Sequence, residues 1–398
     1  MTAVDTGNNE SVGEGSRREH ELLLLCARAT ADDATAQAIR RLAGEGLDFE
    51  YLFRLAHRHL VLPLLYHQLI RAAQDIVPPA FLAKLKKLFR DNAARNVYHA
   101  AELGDIIRAF DAHGVEAVPF KGPTLALTAY GSLSLRRFID LDILVRRGDV
   151  RRAKDVLLSK GYELHPALTA AQERVLLREQ HALQFVGGGG LLIVELHWSV
   201  VPRKFSASLR AEDLWGRLGK TRLNDSEVPT LSNENLLLSL SAHGTKHLWE
   251  RLVWICDVAE LSNSARGLDW TYVVERARAG GLERMLFLGL RLADELLGAR
   301  LPEEVRRAAF GDEDVRALAS FVRARLFDGA EHRPASFVRN IRFNLRARRR
   351  WRDRLRYYGF LLAPTDGDIA ALRLPAPMTF AYYLIRPLRL LTKGDGRH

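Results

Sequence analysis

Two acids alternate with aliphatic residues in Phe138-Ile139-Asp140-Leu141-Asp142-Ile143-Leu144-Val145. On a β-strand, residues two apart share a face. Asp140 and Asp142 would therefore project side by side while Ile139, Leu141 and Ile143 bury the opposite face. Two like charges so close are costly unless a cation neutralises them. Carboxylate oxygens suit Mg²⁺, or Mn²⁺ in its place, and such an ion keeps positions open for water and substrate phosphates. The plainer alternative is an edge strand whose outer face is merely solvated.

A third acid stands in Leu192-Ile193-Val194-Glu195-Leu196-His197-Trp198, again a strand pattern with one polar face. If this strand lies beside the first, Glu195 joins Asp140 and Asp142 in a three-carboxylate cluster. Such a cluster can hold two metal ions, one activating an acceptor hydroxyl and one organising a triphosphate. His197 reads either as a nucleotide contact or as a half-buried histidine hydrogen-bonded near Trp198. Cations stand just upstream. Lys121-Gly122 follows a strand and opens a helix, where backbone N–H groups favour anions. Arg136 and Arg137 have the guanidinium geometry that clamps phosphate oxygens. Each alone could be an ordinary surface charge; together with the acids they supply what nucleotidyl transfer needs.

At these residues the sequence resembles the DNA polymerase β type nucleotidyltransferase superfamily, specifically its bacterial branch of uncharacterised nucleotidyltransferases. The residues that carry the likeness are Lys121-Gly122, Tyr130, Arg136, Asp140-Leu141-Asp142-Ile143-Leu144-Val145 and Glu195-Leu196-His197-Trp198. In the wider superfamily the first motif is Gly followed by Gly or Ser. Here Gly131-Ser132 has those letters but sits close to Asp140 and after the helix, whereas Lys121-Gly122 has the right place after a strand at a longer spacing and is the favoured of the two phosphate motifs. The resemblance implies Mg²⁺-dependent transfer of a nucleoside monophosphate from an NTP such as ATP to an acceptor hydroxyl, with pyrophosphate released. It leaves the acceptor open among a small molecule, a peptide or protein side chain, and an RNA end.

Other motifs carry less. His243-Gly244-Thr245-Lys246-His247 spaces two histidines as a zinc pair, but the glutamate of the metalloprotease motif is absent. Lys246 and His247 are kept as candidate nucleotide contacts against a packing role. Asp257 reads as closing a buried hydrogen-bond network. Gly219-Lys220-Thr221 lacks the first glycine of a P-loop, since Leu214 occupies its place. The stretch 332–356 holds ten arginines and one aspartate, a net +9 of the chain's +11, with Phe337, Phe343, Trp351 and Tyr357 interleaved. It reads as an arginine-rich helix that either meets an anionic partner (RNA, an acidic peptide or a membrane surface) or bridges neighbouring helices. That stretch also supports a competing reading, a catalytically inactive protein of the same fold that binds nucleic acid or an acidic peptide.

The elements around these residues suggest an α+β, mainly helical protein: a small mixed β-sheet nucleotidyltransferase core flanked by helical regions. Residues 1–17 are rich in Gly, Asn, Ser and Glu and read as a disordered tail without a secretory signal. Residues 18–113 have helical periodicity, 114–228 alternate strand and helix, and 229–398 return to helices. Expected strands are 115–120, 141–145, 182–186 and 191–198, with Gly187–Gly190 as a hairpin turn. At 47% hydrophobic and 27% charged, the 398 residues are neither disordered nor fibrous. Two cysteines, Cys26 and Cys256, exclude a disulfide framework and suggest the cytoplasm. No window is apolar for long enough to span a membrane.

Overall fold

The computed structural model describes residues 9–202, 204–205, 214–223, 226–264, 267–328, 336–372 and 374–386. The chain opens with helices α1 (Asn9–Cys26), α2 (Asp33–Ala43), α3 (Phe49–Arg58) and α4 (Leu62–Ala72), followed by the 34-residue α5 (Pro79–Ala112). Residues 9–17, expected within a disordered tail, are part of α1; residues 1–8 lie outside the described residues. Asp32 and Asp48 cap α2 and α3 by accepting from backbone N–H groups three residues on. Gly114 at φ +64° ends α5 in the left-handed conformation that glycine adopts without strain.

The sheet comes next: β1 (Ala117–Pro119), α6 (Gly122–Tyr130), β2 (Asp140–Val145), α7 (Val150–Ser159), β3 (Glu163–His165), α8 (Ala170–Glu179), β4 (Ala182–Gly187) and β5 (Leu192–His197). The spatial order is β1-β2-β5-β4-β3. β2 and β5 pair in parallel at the centre, and the remaining pairings are antiparallel. The acid-bearing strand is therefore not an edge strand, which removes the solvated-edge alternative. Gly188–Gly190, all at positive φ, make the tight β4–β5 turn. A second sheet is the hairpin of β6 (Leu218–Leu223) and β7 (Ser226–Leu231). Gly219-Lys220-Thr221 thus lies on a strand rather than in a phosphate loop. Thr230 on β7 donates to the Pro119 carbonyl of β1 at 2.8 Å, tying the two sheets.

Helices complete the chain: α9 (Asn233–Lys246), α10 (Leu252–Ser264), α11 (Trp270–Gly280), α12 (Glu283–Leu297), α13 (Glu303–Gly311), α14 (Glu313–Leu326), α15 (Phe337–Arg346), α16 (Trp351–Leu361) and α17 (Asp366–Ala371). The molecule is mainly helical α+β. No helix among the described residues is long and apolar enough to cross a membrane. The expected single arginine-rich helix over 332–356 is two helices, α15 and α16, separated by a turn; His332 and Arg333 lie outside the described residues. Several of its arginines are engaged within the protein. Arg346 pairs with Asp314, Arg349 with Glu283 and Arg356 with Asp353. Arg348 is fully buried, donates to the Phe205 carbonyl and packs between the Phe205 and Tyr357 rings.

Apolar alternation on β2 divides the interior. Leu141, Ile143 and Val145 enter a core under α5 and α7, while Leu144 joins the larger helical core that α6 and α9 share. The segment that leads into β2 is held from both sides. On one side, Asn96 on α5 donates to the carbonyls of Leu133 (2.6 Å) and Arg136 (2.8 Å). On the other, Arg136 makes a two-pronged pair with Asp257 on α10, at 2.7 and 2.9 Å, and the Tyr130 hydroxyl donates to the same carboxylate. This pair is buried, so removing one partner strands the other charge. Asp257→Ala is expected to cost roughly 3–5 kcal/mol in urea unfolding, with part recovered in the double variant Arg136→Met, Asp257→Leu. An unchanged urea midpoint for Asp257→Ala would contradict this role.

Candidate active site

β1 ends at Pro119, and Phe120 and Lys121 carry the chain into α6. Lys121 is the extended residue before the helix, and Thr124 closes the first turn by donating to its carbonyl. Gly122 adopts φ +53°, and a Cβ there would meet the Asp140 carbonyl oxygen at 3.0 Å. The helix start and the strand start are thus in backbone contact, which only glycine allows. That contact sets Lys121 beside the acids.

The parallel register places Asp142 opposite Glu195 and Leu144 opposite His197. Asp142 is 2% exposed and its Oδ1 accepts from two cations: Lys121 Nζ at 2.9 Å and His197 Nε2 at 3.2 Å. The same His197 Nε2 lies 3.1 Å from Glu195 Oε2. The imidazole edge meets Phe120 on one side and His181 on the other. Asp142 Oδ2, by contrast, is buried without a hydrogen-bond partner among the described residues.

Burial and charge act against each other here. Burial alone would raise the Asp142 carboxyl, but Lys121 and His197 hold it below the usual carboxylate range. Asp140 has no bonded cation among the described residues: burial, then the Asp142 charge, push it up to about 6, against the pull of Lys121. Burial would lower His197, yet its bonds to Asp142 and Glu195 lift it to about 8. Lys121 is likewise raised, its burial outweighed by Asp142, Asp140 and Glu195. His181 and His243 are driven well below the ordinary histidine value, first by burial and then by nearby cations, Lys246 and Lys121 foremost.

The group whose ligand atoms converge is Asp142, Glu195 and His197, all within 4.8 Å of one another. The expected group was Asp140, Asp142 and Glu195. Asp140 shares their face but lies outside the tight set, and His197 takes its place. These three could hold a metal ion, and the orphaned Asp142 oxygen is the atom such an ion would satisfy. Ile139, expected to be buried with Leu141 and Ile143, is 55% exposed because the strand begins only at Asp140.

The expected cations divide. Lys121 faces the acids, whereas the Arg136 guanidinium, expected on phosphate, is held by Asp257. Asp257 thereby closes the buried network read for it. Arg137 has no carboxylate partner among the described residues, and its Nε is buried without an acceptor. Lys246 and His247 end α9, and the Lys246 charge reaches His181 beside the site. The His243 and His247 rings lie 4.7 Å apart and pack against Trp254, an aromatic cluster rather than a zinc pair. His181 was missed in the sequence because it stands just outside its strand's alternation, opposite Trp198.

Gly122 and Gly131 both have positive φ, but a Cβ at Gly131 would meet nothing within 4 Å. Each alanine substitution bears the left-handed backbone cost of about 1–2 kcal/mol; Gly122→Ala adds crowding against Asp140. Urea unfolding should therefore rank Gly122→Ala clearly below Gly131→Ala, and equal losses would refute the close helix–strand contact.

No curated protein matches the chain. The family model of uncharacterised nucleotidyltransferases matches residues 45–298, which span every residue of the acid cluster, Lys121 and the α9 cations, and leave out the arginine-rich α15 and α16. With that match over more than half its length, and with the acids and lysine gathered as described, the chain belongs to the uncharacterised nucleotidyltransferase family, a family of enzymes that transfer nucleotidyl groups.

Proposed function

We propose that the protein moves a nucleoside monophosphate from an NTP, ATP among the candidates, to an acceptor hydroxyl and releases pyrophosphate. The observation that carries this reading is the Asp142 carboxylate: buried, in register with Glu195, with one oxygen shared by Lys121 and His197 and the other without a donor. Asp142 and Glu195, with Asp140 on the same face, would hold a divalent cation, and their oxygen donors suit Mg²⁺ or Mn²⁺. Such an ion, when bound, supplies charge neutralisation at the phosphates and lowers the pKa of a hydroxyl beside it.

The chain's own groups divide the remaining work. Glu195, whose side chain is 35% exposed, is the carboxylate placed to receive the acceptor's proton. His197 keeps Glu195 and Asp142 in one orientation through its shared N–H. Lys121, at the entrance to α6, holds a phosphate together with the first N–H groups of that helix. Lys246 and His247 contact the nucleotide from the end of α9. Arg136 serves the site by fixing the approach to β2. The acceptor belongs to the hydroxyl-bearing small molecules, peptides or RNA ends. Both thiols, Cys26 and Cys256, are free and buried, which supports the cytoplasm as the compartment.

Asp142→Asn keeps the volume of the side chain and removes its charge. It is expected to abolish pyrophosphate release from NTP in a cell extract that supplies the acceptor, while far-ultraviolet circular dichroism stays native. Asp140→Asn should reduce turnover in the same assay by at least tenfold. Wild-type turnover in the Asp142→Asn protein would sink the assignment.

A further inference from the structure

Arg95 lies on α5 one turn before His99, and Arg137 lies in the segment that Asn92 and Asn96 of the same helix fasten in place. The Nε atoms of both arginines are buried and lack an acceptor among the described residues, and the His99 ring lies against the Leu191 backbone. Arg95 makes one bond, from Nη2 to Asn92 Oδ1 at 2.8 Å. Among the described residues neither guanidinium has a carboxylate partner. Other enclosed arginines find partners within the fold: Arg136 pairs with Asp257, Arg284 with Asp312 and Asp314, and Arg291 with Glu295, while Arg348 donates to the Phe205 carbonyl. The Asn96 bond to the Arg136 carbonyl brings the segment that carries Arg137 alongside the turn of α5 that carries Arg95, and burial and then the Arg137 charge lower the Arg95 pKa. Burial and then the Arg95 charge lower His99 in the same way.

Two guanidinium groups held together without an anion cost stability. The cost is understandable where a ligand supplies the missing charge. Arg137 stands three residues before Asp140, so this arrangement adjoins the catalytic end of β2. Exposed apolar side chains flank it: Tyr98 on α5 (42% exposed), Ile139 (55%) and Leu191 at the tip of the β4–β5 turn (76%). Tyr98 reaches that turn, its hydroxyl lying where a Cβ on Gly188 would approach to 3.1 Å.

We propose that Arg95 and Arg137, with His99 behind them, form a phosphoryl-binding site beside the catalytic acids. The fork of a guanidinium matches two phosphoryl oxygens, and two forks suit a dianion better than a single carboxylate. The proposal rests on the nucleotidyl-transfer reading for its source of phosphate. The phosphoryl group is either part of the NTP's polyphosphate or carried by the acceptor, with Tyr98, Ile139 and Leu191 as the apolar surface beside it.

The test is calorimetric titration of the full chain with inorganic pyrophosphate, without added metal, in the wild type and in Arg95→Gln and Arg137→Gln. Each substitution should weaken pyrophosphate binding roughly tenfold or more. It should leave the urea midpoint unchanged or raised, because one of two opposed charges is gone. Equal pyrophosphate affinity in all three proteins would overturn the site, and so would lower stability with unchanged affinity, which assigns both arginines to packing. A second arm titrates ATP with Mg²⁺. Weakened ATP binding in both variants identifies the nucleotide's polyphosphate as the occupant, and unchanged ATP binding beside weakened pyrophosphate binding identifies a phosphate on the acceptor. Loss of this site leaves the Asp142→Asn result untouched, so the two readings fail separately.

Discussion

The carboxylate of Asp142 is almost wholly removed from water at the centre of the sheet, and everything near it answers that fact. An ionised carboxylate in such a place costs several kcal/mol unless charged partners surround it. Lys121 and His197 supply that compensation on one oxygen only. The result is two aspartates two residues apart with different characters: Asp142 stays ionised, while Asp140, with no bonded cation among the described residues, is raised to about 6. The environment separates the protonation of two neighbouring carboxyl groups of the same kind.

Holding this balance requires three parts of the chain to agree. The parallel pairing of β2 and β5 sets Glu195 across from Asp142 and brings His197 up beside them. Gly122 lets α6 begin against the Asp140 backbone, which delivers Lys121. The Arg136–Asp257 pair and the Asn92 and Asn96 carboxamides then fix the entry into β2 from the α10 and α5 sides. Arg136 is thus a structural cation in a segment that looks, by composition, like a phosphate clamp. Arg137, its neighbour in sequence, has no carboxylate partner among the described residues.

Much of the core was legible in the amino-acid order. The alternation in Asp140 to Val145 and in Leu192 to His197 has the period of a strand, and local pattern was enough to find both strands, the hairpin at Gly187–Gly190 and the end of helical periodicity at residue 113. Less visible were β3, α8 and the β6–β7 hairpin, whose segments are short or half-exposed and carry weak periodicity. The site was partly legible. Its acids follow from alternation, but the partner of each cation depends on contacts distant in sequence: Arg136 and Asp257 are 121 residues apart, Lys121 and Asp142 are 21 apart. Composition misled in one respect. The net +9 of residues 332–356 suggested one cationic helix, yet a turn divides it and Arg346, Arg348, Arg349 and Arg356 are engaged within the fold.

In the proposed function, the orphaned Asp142 oxygen and the Glu195 carboxylate receive a divalent cation together with a nucleotide. Calorimetric titration of NTP into the protein, with and without Mg²⁺, tests this most directly. Mg²⁺ is expected to strengthen NTP binding in the wild type, and Asp142→Asn to erase the difference. Nucleotide affinity that ignores the metal in both proteins would contradict it.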